Sequence, residues 1–254
     1  MIKFFRHIRR SLLEQNKMVK PALPDSTSGR LGRYFKYAIG EILLVVIGIL
    51  LALQINNWNE SNKAKKTEIY VLTEILNNLE EDGDILKHMI QKREKAKTSV
   101  SKMISYLEES IISQDSLEAD LLNMLTFERY FPINNGYEIC KSKGLELSNN
   151  LLISKISRYY NYEQPKANKS IIDVENAILE ILEDTKSISR YIEVLTLNEE
   201  IKLTNYQDTQ FLAELKTETV AFKNNNVGTL SVIKDLYDIN KSLRNEIRDE
   251  IGHD

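Results

Sequence analysis

The chain has 254 residues, with 9 Gly, 4 Pro and a formal net charge of −3, a length that suits one or two domains. So few turn formers exclude sandwiches, propellers and collagen-like arrays and point to helices. Apolar content of 42% and charged content of 28% fit a folded, largely soluble body, while a single Cys and three His exclude an internal disulfide framework and leave little room for a zinc site.

Charge is placed unevenly. Residues 1–36 hold nine basic side chains against Glu14 and Asp25, so this arm carries +7 and the remainder −10. Residues 1–18 interleave Ile2, Phe5, Ile8 and Leu12 with Arg6, Arg9 and Arg10. That pattern predicts a basic amphipathic helix for an anionic membrane surface; the competing reading is a short solvated helix. Residues 19–36, with Pro21, Pro24, Gly29 and Gly32, read as a cytoplasmic linker. The arm carries no nucleic-acid-binding motif, so no nucleic-acid partner is expected.

Residues 42–53 read ILLVVIGILLAL without a polar side chain. From Tyr37 to Trp58 a helix rises about 31 Å at ~1.5 Å per residue, close to the ~30 Å hydrocarbon core of a bilayer. Tyr37 and Trp58 sit where interfacial aromatics belong. Glu41 lies one turn inside, where it can snorkel or face a neighbouring helix. The expectation is a transmembrane signal anchor at 37–58, uncleaved because no small-x-small site follows Leu53. The alternative is a buried core helix. Nine basic residues before the span, against Lys63, Lys65 and Lys66 after it, place the N-terminus in the cytoplasm and residues 59–254 in the periplasm. Gly48 and Ala52, four apart, allow close helix approach and so a parallel homo-oligomer; an intramolecular bundle around a lone span is the competing reading.

The outer body reads as all-α. Positions 72, 76, 79, 83, 86, 90, 93, 97, 100, 104 and 107 form a stripe broken only by Gly83, Arg93 and Lys97, which suggest a softer middle or a kink. A second stripe takes Ile171, Val174, Ile178, Ile181, Ile188, Ile192 and Leu195. Shorter helices are expected near 116–128, 148–163, 207–223 and 230–250. Asp115 and Asp208 are the expected N-caps, and Asn224–Gly228 the turn before the last helix. No segment alternates over a strand's length, so stacked amphipathic helices make a bundle.

Between two helices, residues 129–144 read RYFPINNGYEICKSKG. Tyr130, Phe131 and Tyr137, with Tyr159 and Tyr160 from the later tyrosine run, are the candidate partner or ligand surface. The plainer alternative is that these rings plug the bundle. Glu80, Glu81, Asp82 and Asp84 read as a solvated face, lacking the alternation of a calcium loop. His88 reads as a surface residue. Cys140 reads as a quiet, half-buried thiol, with an intermolecular disulfide as the other option. There is no P-loop, dinucleotide turn, nucleophile elbow or HExxH motif, and neither catalysis nor a metal or cofactor is expected.

Three segments together, IKFFRHIR, GRYFKYAIGEILLVVIGILLALQINNWNE and PINNGYEICKSKG, resemble a large flavobacterial family of single-pass membrane proteins of unknown function. The junction from Tyr37 to Glu60 carries most of the likeness, and residues 19–32 look like an insertion relative to it. The resemblance implies a single-pass topology and a helical outer domain, and no activity. Two functional classes follow. One is a membrane-anchored interaction or scaffold protein of the envelope with a protein partner. The other is an extracytoplasmic ligand-sensing module acting through a partner subunit, since a 36-residue arm leaves no room for an output domain.

Overall fold

The computed structural model describes residues 27–109, 112–142, 144, 147–183, 187–196 and 200–252. The amphipathic arm and the start of the linker lie outside the described residues. The chain divides into two units, one ending at Asn62 and one starting at Lys63. The expected all-α class holds.

Helix α1 runs from Thr27 to Glu109. It begins soon after Pro24 and meets no further proline, so the expected linker is already helical at Thr27. In the first unit its apolar side chains, including Ile42, Leu50 and Trp58, are exposed. It is the one helix among the described residues long and apolar enough to cross a membrane.

In the second unit α1 becomes a core helix. It buries Leu72, Leu79, Leu86 and Val100 as expected, and also Val71, Ile75, Met89, Ala96 and Met103. Leu76, Ile90, Ile104 and Leu107 are only partly buried. Two of the three breaks in the stripe are inside it: Arg93 is buried, and Gly83 is buried with them. Gly83 is a seat rather than a kink. A Cβ there would lie 2.9 Å from Asn240 Oδ1 and 3.3 Å from the Arg244 guanidinium.

Helix α2 (Gln114–Leu125) follows. Its N-cap residue is Ser113, two residues before the expected Asp115, which instead lies inside the first turn. An irregular strap, residues 126–134, leads to α3 (Asn135–Ser142). The loop expected over 129–144 therefore contains a helix. Gly136 permits it: a Cβ there would come within 2.8 Å of the backbone of Glu74 and Ile75. Helix α4 (Asn150–Arg158) is capped by Asn149, whose side chain accepts from Leu152 N–H at 3.1 Å.

A π-helical turn, Tyr159–Glu163, joins α4 to α5 (Gln164–Ile181). Widening one turn shifts the helical phase, and both Tyr159 and Tyr160 are buried there. Helix α5 buries Ile171, Val174, Ile178 and Ile181, as the second stripe predicts. Beyond that the stripe fails as a helix. Ile188 is buried from the short α6 (Ser187–Arg190), while Ile192 and Leu195 stand on a strand. Strands β1 (Ile192–Thr196) and β2 (Glu200–Leu203) pair antiparallel, with a register irregularity between Ile192 and Val194. Ile201 and Leu203 of β2 are buried and Ile192 of β1 packs partly buried against the same cluster, too short an alternation to read in advance.

The last helix, α7, runs unbroken from Thr209 to Gly252. Asp208 caps it as expected, accepting from the N–H groups of Gln210 and Phe211, each at 2.9 Å. The expected turn at 224–228 is helical. Its asparagines bond neighbours instead of their own backbone: Asn225 donates to Asp173 O at 3.4 Å and Asn226 to Arg93 O at 3.2 Å. Helix α7 covers the α1 stripe from within the chain. Both helices run through two apolar clusters, one around Leu79, Tyr159 and Ile233, the other around Val100, Ile178 and Phe211. Each such side chain contributes about 1.5–3 kcal/mol when fully buried.

Candidate functional site

The acid cluster divides on folding. Asp84 and Glu81 are exposed and Glu80 pairs with Arg248 at 2.5 Å. Asp82 is 0% exposed, which overturns its reading as a solvated residue. Helical spacing explains the split: Asp82 lies one turn beyond Leu79 and one before Leu86, on the inward face.

Around this carboxylate the fold gathers donors from three other elements. Tyr130 of the strap donates to Oδ1 at 2.6 Å. Tyr159 of the π turn donates to Oδ2, and Gln164 of α5 donates to the same oxygen at 3.2 Å. Asn240 of α7 extends the network, donating to Tyr159 Oη at 3.0 Å and to Leu79 O at 2.9 Å. Burial raises the Asp82 pKa above its ordinary value, and the three donors oppose that rise. Burial, together with the charge of Asp82, pushes the Tyr130, Tyr159 and Tyr160 phenols far above their ordinary range. A carboxylate wrapped this way by the chain has no face for a substrate. Its chemistry is structural: it ties strap, π turn, α5 and α7 to α1.

The strap is held elsewhere too. Arg93 donates to Thr126 O, Glu128 pairs with Lys92 at 2.8 Å and His88 at 3.2 Å, and Gly136 N–H donates to Asn78 at 2.7 Å. His88 is indeed exposed. Burial lowers the Arg93 pKa, with the charge of Glu128 acting in the opposite sense.

The five candidate surface aromatics therefore separate. Tyr130, Tyr159 and Tyr160 are buried, as plugs of the bundle. Tyr137 is half-buried, stacked on Tyr160 with ring centroids 4.8 Å apart. Phe131 alone stands out, 73% exposed beside a Tyr130 anchored in the core. Cys140 is half-buried, and burial raises its thiol pKa.

Of the expected anchor residues, Glu41, Ala52 and Trp58 are exposed and Gly48 partly so; the Tyr37 side chain lies outside the described set. No atom comes within 4 Å of where a Cβ would stand on Gly48.

One latch was not foreseen. Glu118 of α2 is buried and accepts from Leu203 N–H at 3.0 Å, Gln114 at 2.9 Å and Lys202 at 3.1 Å. Burial works against its charge, but these donors outweigh it and hold the pKa below the ordinary value. A buried acid three residues before a leucine pair carries no signal that singles it out in sequence. Among the described residues, no three His, Cys, Asp or Glu side chains converge as a metal site.

No curated protein and no solved structure matches the chain. Residues 41–226, which take in the apolar segment, Asp82 and all three of its donors, match a family of unknown function, DUF6090. With well over half its length matched, the chain belongs to that family.

Proposed function

We propose that the protein is a membrane-anchored helical interaction module of the bacterial envelope, without catalytic activity. Residues 37–58 cross the inner membrane once, the basic arm stays in the cytoplasm, and the helical body stands in the periplasm. The observation that carries this reading is the contrast within α1: apolar side chains from Ile39 to Trp58 are exposed, while the body buries its own. The bilayer is the solvent that suits such a segment. The nine basic residues of the arm support the orientation.

Phe131 supports the interaction reading. A large exposed ring on a segment fastened at both ends presents contact area without losing much conformational freedom on binding. Gly48 and Ala52 leave room for the helix of a second copy within the membrane.

A reporter active only in the periplasm, fused after Asp254, tests the orientation. Activity there, with a cytoplasmic reporter silent, is the expected result; the reverse pattern in well-expressed protein contradicts it. Copurification from mild detergent, compared with Phe131→Ala, tests the partner surface. A partner retained by the wild type and lost in the variant supports it, and equal retention rejects Phe131 as the contact.

A further inference from the structure

Four carboxylates are buried among the described residues: Asp82, Glu118, Asp120 and Glu163. Three of them are well provided. Asp82 and Glu118 each accept from three donors, and Glu163 pairs with Arg158 at 2.9 Å. Asp120 is 7% exposed and has a single hydrogen bond among the described residues, from the Tyr106 hydroxyl at 3.3 Å. A hydroxyl on an ionised carboxylate normally stands about 2.5–2.7 Å away, so this bond replaces little of the water lost. Buried charges are ordinarily paired, and this one has capacity left for a cation.

Asp120 lines an open cleft of about 420 Å³ between the end of α1 and α2. Each helix contributes three residues at spacing i, i+3, i+4, and so a single face: Lys102, Ser105 and Tyr106 from α1, Ser116, Ala119 and Asp120 from α2. The two walls are fixed to each other. Asn123 donates to Ser99 at 3.0 Å, and Met103, Leu117 and Leu121 belong to one apolar cluster. Lys102 is exposed and meets no carboxylate among the described residues. The cleft therefore holds an acid short of a cation and a base short of an anion, which do not pair with each other.

That combination selects its ligand. Asp120 repels a simple anion and Lys102 a simple cation, whereas a molecule carrying both charges satisfies both walls. An ammonium suits Asp120, and the Tyr106 ring lines the same cleft, where an aromatic face attracts cations. A carboxylate suits the Lys102 ammonium. The hydroxyls of Ser105 and Ser116 serve remaining polar atoms, and Ala119 offers contact to carbon. The volume falls in the range of small-molecule sites, roughly 300–1,000 Å³.

We propose that this cleft binds a small zwitterion, a free amino acid or dipeptide, with Asp120 holding its ammonium and Lys102 its carboxylate. The site belongs to the body alone and depends neither on the membrane topology nor on what meets Phe131.

Thermal shift and calorimetric titration of the full chain in mild detergent test it. The probes are the common L-amino acids and alanylalanine, each alone, with ethylamine and acetate as single-charge controls. At least one zwitterion should raise the thermal midpoint and bind at one site per chain, while ethylamine and acetate at the same concentration do neither. Asp120→Asn keeps an acceptor for Tyr106, and Lys102→Met alters an exposed side chain. Each should weaken binding of that zwitterion roughly tenfold to a hundredfold, the worth of one hydrogen bond to a charged group. Lys87→Met, exposed on the same helix, should leave it unchanged. The proposal is overturned if no zwitterion binds, if either cleft variant binds as tightly as the wild type, or if ethylamine or acetate binds as well as the zwitterion.

Discussion

Two stretches of helix α1 obey opposite rules. Between Ile39 and Trp58 nearly every large apolar side chain is exposed and no polar group is buried. Between Val71 and Met103 the apolar side chains are inside, and Asp82, Arg93 and Ser99 are buried with them. The difference teaches that hydrophobicity alone does not mark a core. The more apolar stretch lacks packing partners, and the more polar one organises the body. What separates them is the presence of donors: the second stretch is met by Tyr130, Tyr159, Gln164, Asn226 and Asn240, each with a bond to offer.

The contrast can be broken by unsettling the polar core. Asp82→Ala strips three buried donors of their acceptor, each loss worth about 1–3 kcal/mol and offset in part by relief of a buried charge. Denaturant unfolding should show a loss of about 3 kcal/mol or more. A change under about 0.5 kcal/mol, typical of a free surface site, would return Asp82 to the solvated face. Gly136→Ala comes next. The new Cβ meets the α1 backbone rather than a flexible side chain, so a loss of about 1–3 kcal/mol by overpacking is expected.

Titration sharpens the same point. The folded pKa of Asp82 is raised, so its contribution to stability is fully present below the ordinary value of 3.8 and declines as pH rises through the folded value. Asp82→Asn removes that dependence. The stability of wild type relative to the variant should fall as pH rises from below 3.8 toward neutrality, and a constant difference would contradict the assignment. The smallest effect belongs to the neighbour. Glu81 is exposed, and Glu81→Ala should change stability by no more than about 0.5 kcal/mol.

Much of the body was legible because periodicity survives packing. Leu72, Leu79, Leu86 and Val100, and then Ile171, Val174, Ile178 and Ile181, stand where their spacing puts them. Asp208 caps α7 because an acid before an apolar helix has that one local use. The misreadings share a cause. Asn224–Gly228 has the composition of a turn, yet Asn225 and Asn226 find acceptors on other helices, and tertiary partners overrule local preference. Asp82 has the composition of a surface, yet its donors come from residues 48, 77 and 82 positions away along the chain. Tyr130, Tyr159 and Tyr160 carry two readings in sequence, a partner surface or a plug of the bundle, and their burial decides for the plug. Phe131 differs from these rings in staying exposed among the described residues.

The most direct test of the account compares the full chain with a chain beginning at Lys63, expressed in the same cells and fractionated with alkaline carbonate. The account predicts that the full chain stays with the membrane pellet. The shortened one should be released as a soluble, mostly helical protein that melts cooperatively. Release of the full chain, or a shortened chain that is insoluble or unfolded, would contradict it.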